Sequence, residues 1–120
     1  MASSTGYTAQ VLATGIEVFT LTEPDLVDPD EIVALREEWL ERLGSLGTPR
    51  LVIDLGRVHH LASAALGMLL VVHGAVTERD GQLALVVSSD DLREVFRLTR
   101  LDRRFAIHAT VEAAAESLGD

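Results

Sequence analysis

The sequence of 120 residues, with 48% hydrophobic content, fits one domain, since domains cluster at roughly 100 to 150 residues and that length can bury a core. Ten arginines against nineteen acidic residues give a formal net charge of −9, which disfavours phosphate backbones and anionic membranes as partners. Cysteine and lysine are both absent, which excludes disulfides, cysteine–zinc sites, thiol catalysis, Schiff bases and a phosphate-binding loop ending in Gly-Lys-Ser/Thr.

The N-terminal residues lack the charged region and the apolar run of a secretion signal. The longest apolar stretch, near 62–72, is shorter than the ~20 residues that a membrane span needs. We therefore expect a cytoplasmic protein with no membrane association. Residues 1–5 are expected to be a flexible N-terminus, and residues 6–118 a single domain.

The first elements are two short strands and a helix. Alternating residues at 8–12 and 17–21 predict two strands joined by a tight turn at Gly15. Asp28 is predicted to be the N-cap of a helix, and Pro29 fits the first helical position. Apolar residues then recur at helical spacing to residue 43, which predicts an amphipathic helix over 29–43 with Trp39 on its sheet-facing side.

Two apolar runs predict buried strands, at 51–55 and 83–87. Between them, residues 62–77 are rich in helix formers and apolar almost all round, which predicts a largely buried helix in which His73 is half-buried. The remaining elements are a third helix capped by Ser88–Asp91, a short strand at 105–107 and a final helix at 110–118.

The predicted order is β-β-α-β-α-β-α-β-α, an α/β fold. Strands that alternate with helices imply a mostly parallel mixed sheet covered by helices. We expect the strands at 51–55 and 83–87 to be neighbours or near-neighbours in that sheet.

Motifs for catalysis and metal binding are missing. Ser63 lies between alanines and lacks the Gly-x-Ser-x-Gly elbow of serine hydrolases, and no dinucleotide-binding Gly-x-Gly-x-x-Gly occurs. His59 and His60 are adjacent, so on an extended segment they point to opposite faces and do not share one ion. We expect a protein that is not an enzyme and that needs no metal or other cofactor.

The start of the helix at 62–77 is the remaining candidate site. Its small side chains leave the backbone N–H groups of the first turn accessible, at the positive end of the helix dipole. Such a terminus favours anions, including a phosphate carried by Ser63. The alternative is structural, with Ser63 as a simple N-cap.

Four segments follow one another in a specific order and spacing: Leu51-Val-Ile-Asp-Leu-Gly-Arg-Val58, Leu61-Ala-Ser-Ala-Ala-Leu-Gly67, Gly81-Gln-Leu-Ala-Leu-Val-Val87, and residues 95–105 with 113–118 behind them. Together they resemble the STAS domain of bacterial anti-sigma factor antagonists. The resemblance extends from about residue 6 to residue 118 and implies the STAS fold.

The resemblance also implies a partner and a switch. In this family a kinase-type anti-sigma factor phosphorylates the second hydroxyl residue of an Asp-Ser-Ser/Thr-Gly-Leu motif, and the unphosphorylated antagonist binds it and releases a sigma factor. Here Ala62 falls on the motif's Asp, Ser63 on its first Ser, Ala64 on the acceptor and Ala65 on the Gly. The usual acceptor is missing, so either Ser63 is the phosphorylation site or the protein is not switched at this helix.

The implied partner-binding residues surround that motif. They are Asp28, a shifted equivalent of a family Asp, together with His60, Leu61, Ala62, Ser63, Ala64, Ala65 and Leu66. The leading hypothesis is an anti-sigma factor antagonist that binds an anti-sigma factor and serine kinase. One alternative is a scaffold subunit of a larger signalling assembly, in which self-association is the function. Another is an enzyme or ligand sensor with an unrecognised pocket. A homodimer is left open in either case.

Overall fold

The computed structural model describes residues 6–118, so the N-terminus predicted to be flexible, 1–5, lies outside the described residues. Seven strands, four helices and one 3-10 turn are found in this range. In chain order they are β1 (Tyr7–Val11), β2 (Glu17–Leu21), β3 (Asp25–Leu26), α1 (Pro29–Gly44), β4 (Arg50–Asp54), β5 (His60–Leu61), α2 (Ser63–Glu78), β6 (Gln82–Val86), α3 (Asp90–Leu98), the 3-10 turn Leu101–Arg103, β7 (Ala106–His108) and α4 (Val111–Leu118).

Five strands form the main sheet in the order β1-β2-β4-β6-β7. β1 is antiparallel to β2, and the other neighbours are parallel. β4 and β6 are adjacent, with Leu51 opposite Leu83 and Ile53 opposite Leu85, which confirms the predicted pairing. The predicted mixed α/β order is also confirmed, with most predicted bounds shifted by one residue and two short strands, β3 and β5, added.

The two faces of the sheet are covered unequally. Alternate residues of β2, β4 and β6 form one large core with α1, α2 and α3. The intervening residues, among them Val18, Val52 and Val86, form a smaller core with Ala114 and Leu118 of α4. Burial of Leu51, Val52 and Ile53 on both faces explains why β4 is a continuous apolar run.

Trp39 lies at the centre of an aromatic cluster in the large core. Its ring centroid is 5.5 Å from that of Tyr7 and 5.2 Å from that of Phe19, and all three side chains are buried. Tyr7 Oη donates a hydrogen bond to Glu38 Oε2 at 2.5 Å and accepts one from Arg42 Nε at 3.0 Å. The prediction that Trp39 faces the sheet is confirmed.

The burial of α2 differs from the prediction. Only one of its faces is buried, through Ala65, Met68, Leu69, Val72 and Val76. The opposite face is exposed although its exposed residues between Ser63 and Thr77 carry no charge, and half-buried His73 is the one titratable side chain in that range. The apolar composition predicts a largely buried helix, because a helix that is apolar almost all round normally lies in the core.

His73 provides a test of this packing. Its ring meets the Phe105 ring edge-on, with centroids 5.1 Å apart, and burial, together with the charge of Arg104, lowers its pKa from the ordinary 6.5. Below about pH 6.5 the unfolded chain then binds more protons than the folded chain does. The free energy of unfolding therefore falls as the pH decreases through that value.

We expect the wild-type protein to lose more stability between about pH 7 and pH 5 than the His73→Gln variant, in urea titrations at both pH values. Both proteins retain the other three histidines, so the difference between their two losses of stability reports the titration of His73 alone. Equal losses in the two proteins would contradict this role for His73.

Candidate partner-binding surface

The helices α1 and α2 both begin at the edge of the main sheet where the parallel strands end. A two-stranded sheet joins the segments that precede them. In this small sheet β3 and β5 run parallel, with Asp25 opposite His60 and Leu26 opposite Leu61. The pairing was not predicted, because two residues are too few to show a strand periodicity. It brings the segment before α1 against the segment before α2.

Hydrogen bonds hold these two segments together. The backbone N–H of Ala62 donates to the Leu26 carbonyl at 3.0 Å, and that of His59 donates to the Pro24 carbonyl at 2.8 Å. On the exposed side, His60 Nδ1 lies 2.7 Å from Asp25 Oδ1, within hydrogen-bond distance. The chain entering α2 therefore has a fixed position relative to the start of α1.

The two helices are capped differently. Asp28 is the N-cap of α1, as predicted, and its carboxylate accepts from the Asp30 backbone N–H at 2.9 Å. The N-cap of α2 is Ala62, whose side chain has no hydrogen-bonding atom, and the first turn contains no acidic residue. Ser63 is the first helical residue, so the alternative in which it is the N-cap is wrong.

The residues expected to bind a partner differ in exposure. Asp28, His60, Ser63 and Ala64 are exposed. Leu61, Ala62 and Leu66 are half-buried and contact the large core. Ala65 is fully buried, because its position in the first turn faces the sheet, so its side chain is not available to a partner.

An acidic pocket of about 460 Å³ opens beside this surface. Gly6, Glu23, Pro24, Asp25 and Glu31 line it. Burial raises the pKa of Glu31 from its ordinary value, and the negative charges of Asp28 and Glu23 raise it further. The pocket thus concentrates negative charge at the start of α1.

A groove of about 350 Å³ separates α1 from α2 on the outer surface. Eight residues line it: Pro29, Ile32, Val33, Arg36, Ala64, Gly67, Met68 and Val71. Seven of the eight are uncharged, and Val33 and Val71 are 43% and 47% exposed. The lack of charge in residues 63–77 was the sequence signal for this groove, but it was interpreted as burial.

The structure offers no group of three His, Asp or Glu side chains arranged to hold a metal ion within residues 6–118. In the same range, none of the helices has the length and apolar character needed to cross a membrane.

Comparisons with known proteins agree with this architecture. The profile of the STAS domain family matches residues 12–114. BtrV of Bordetella bronchiseptica, whose name describes an anti-sigma factor antagonist, is 35% identical over 69 residues, which are 58% of the chain. The chain spans only 60% of the length of this curated relative.

Solved structures share the fold at lower identity. The anti-sigma factor antagonist STAS protein of Planctomyces limnophilus has a TM-score of 0.85 and 19% identity, over 95% of this chain and 98% of that one. The anti-sigma factor antagonist from Mycobacterium paratuberculosis has a TM-score of 0.79 and 24% identity, over 100% of both chains. At these identities the likeness shows a common fold.

Proposed function

The chain belongs to the STAS domain family, and on that premise we propose that it is an anti-sigma factor antagonist. It binds a kinase-type anti-sigma factor in the cytoplasm and thereby releases a sigma factor. The observation that carries this proposal is the exposed start of α2, fixed beside the start of α1 by the β3–β5 pairing. The names of BtrV and of the structural neighbours support the same function.

The surface acts by binding and carries out no chemistry of its own. Asp28, His60, Ser63 and Ala64 form its exposed part, and the half-buried Leu61, Ala62 and Leu66 connect that part to the core. A rigid surface loses little conformational freedom on association, so more of the contact energy is available for affinity. ATP and magnesium belong to the kinase in this proposal, and the antagonist contributes no cofactor.

The test is a binding panel. Each purified kinase-type anti-sigma factor of the source organism is titrated with this chain by calorimetry, alone and in complex with its sigma factor. We expect one of them to bind and to release its sigma factor as the chain is added. If none binds, the proposed function is wrong.

Ser63 gives a sharper test, because two readouts of one variant should move in opposite directions. A carboxylate at the first position of α2 interacts favourably with the helix dipole, so Ser63→Glu should stabilise the fold by about 0.3–1 kcal/mol. The same charge at the centre of the proposed surface should weaken anti-sigma factor binding about tenfold, through desolvation and repulsion. Thermal melts and calorimetry measure the two effects, with Ser63→Ala as the neutral control.

Phosphorylation at this helix is tested separately. The usual acceptor position is Ala64, and Ser63, one residue earlier, points about 100 degrees away on the helix. We therefore propose that the kinase leaves Ser63 unmodified and that the antagonist is not switched here. Mass spectrometry after incubation with the kinase and ATP decides between this and phosphorylation of Ser63. Phosphate on another residue, with Ser63→Glu binding as well as the parent chain, would contradict both possibilities: the unswitched antagonist and phosphorylation of Ser63.

A further inference from the structure

The exposed face of α2 is unusual for a helix at a protein surface. A surface helix normally turns charged and polar residues to solvent. Here the exposed positions within residues 63–71 are Ser63, Ala64, Gly67 and Val71, none of which carries a charge. A face of this composition is typical of a surface that another molecule covers.

The groove between α1 and α2 extends this face into a concave site. Val71 and Met68 form its α2 wall, and Ile32 and Val33 form its α1 wall. Ala64, in the first turn of α2, lines the groove and also belongs to the proposed partner-binding surface, so the two are continuous. A volume of about 350 Å³ has room for two or three aliphatic side chains.

The ridge of α1 beside the groove is acidic. Asp30 and Glu37 stand three residues before and four residues after groove-lining Val33, so they share its face of the helix. Glu41 extends the same exposed row by one turn. Arg36 is the single cation among the groove-lining residues. A partner that fills the groove therefore meets apolar surface along α2 and, along α1, one arginine and an exposed row of three carboxylates.

We propose that the α1–α2 groove binds a basic amphipathic helix of the anti-sigma factor, with aliphatic side chains in the groove and arginine or lysine side chains along the α1 ridge. This inference rests on the proposed function and adds the segment of the partner that it recognises. Helix-in-groove recognition supplies affinity through apolar burial, and the charges set the orientation.

The glycines of α2 provide a matched pair of variants. A Cβ atom built at Gly67 or at Gly74 meets no atom within 4 Å, so either position accepts a side chain without an internal clash. Gly67 lines the groove, whereas Gly74 lies two turns further along the helix and outside that lining. Gly67→Glu and Gly74→Glu therefore change the net charge equally, and both remove a helix glycine, but only the first obstructs the groove.

The experiment measures the affinity of both variants for the anti-sigma factor that binds the parent chain. We expect Gly67→Glu to weaken binding by at least about tenfold and Gly74→Glu by less than about threefold. Circular dichroism and thermal melts confirm that both variants are folded. Equal binding by the parent and Gly67→Glu would overturn the groove proposal and leave the proposed function intact.

A second pair of variants tests the charge of the occupant. Glu37→Lys on the acidic ridge should weaken binding about threefold or more and reduce the dependence of affinity on salt, because it replaces attraction by repulsion. Glu112→Lys, on α4 at the opposite face of the sheet, makes the same charge change and should have little effect. Stronger binding by Glu37→Lys would overturn the assignment of a basic occupant.

Two further outcomes would also overturn the inference. Sedimentation of the parent chain as a dimer that Gly67→Glu dissociates would show that a second copy fills the groove. Failure of every anti-sigma factor in the panel to bind the parent would remove the proposed function, and this inference with it.

Discussion

Replacing Trp39 with alanine should lower the free energy of unfolding by about 3–5 kcal/mol, the usual cost of removing a large aromatic side chain from a core. The indole is fully buried, and it packs against the rings of Tyr7 and Phe19. These rings lie on β1 and β2, so the cavity would open between α1 and two strands at once. Urea titration followed by far-ultraviolet circular dichroism measures the loss.

Trp39→Phe is the matched control. The indole Nε1 is buried and has no hydrogen-bond partner among the described residues, so phenylalanine removes an unsatisfied donor while keeping most of the ring contacts. We expect it to cost less than half as much as alanine. An unchanged urea midpoint for Trp39→Ala would contradict the orientation of α1.

Replacing Gly81 with alanine should destabilise the fold by about 1–3 kcal/mol, as overpacking does at rigid sites. A Cβ atom at Gly81 would lie 2.8 Å from Pro49 Cγ and deep inside van der Waals contact with the Pro49 carbonyl oxygen. The oxygen cannot withdraw freely, because it accepts a hydrogen bond from the Gln82 backbone N–H at 2.9 Å. The strain therefore falls on the backbone between α2 and β6.

Gly74→Ala is the control for this prediction and should have the opposite sign. The position is helical and its Cβ has open space, so alanine should stabilise the protein by about 0.5–1 kcal/mol. Both variants add one methyl group to the same chain, and chemical denaturation compares them directly. A stabilising Gly81→Ala would contradict the close approach to Pro49.

The main sheet and its helices were predictable from sequence because their signals extend over many residues. The apolar runs that became β4 and β6, the helical spacing that ends at Leu43 and the cap at Asp28 all specified elements that the structure contains. Those signals reflect burial, which acts on every residue of an element. The predicted and observed elements differ mainly at their ends, because fraying and capping move a boundary by one residue.

The site was harder to predict, because it depends on contacts between distant segments. Nothing local indicates that Leu26 pairs with Leu61, and the pairing contains only two residues on each strand. The burial of Ala65 and the exposure of Ala64 follow from the rotation of α2 about its axis, because adjacent helical residues point about 100 degrees apart. The groove requires α1 and α2 to be side by side, so it exists only in the folded chain.

The smaller core has a consequence for how the native state opens. Within the described residues, the eight-residue helix α4 is the only helix that contributes to this core, whereas three helices cover the large core. Short helices with few buried contacts detach at lower free energy than the rest of a domain. The amide protons of α4 should therefore exchange with solvent through a local fluctuation, whereas those of the central strands β4 and β6 should exchange only on global unfolding.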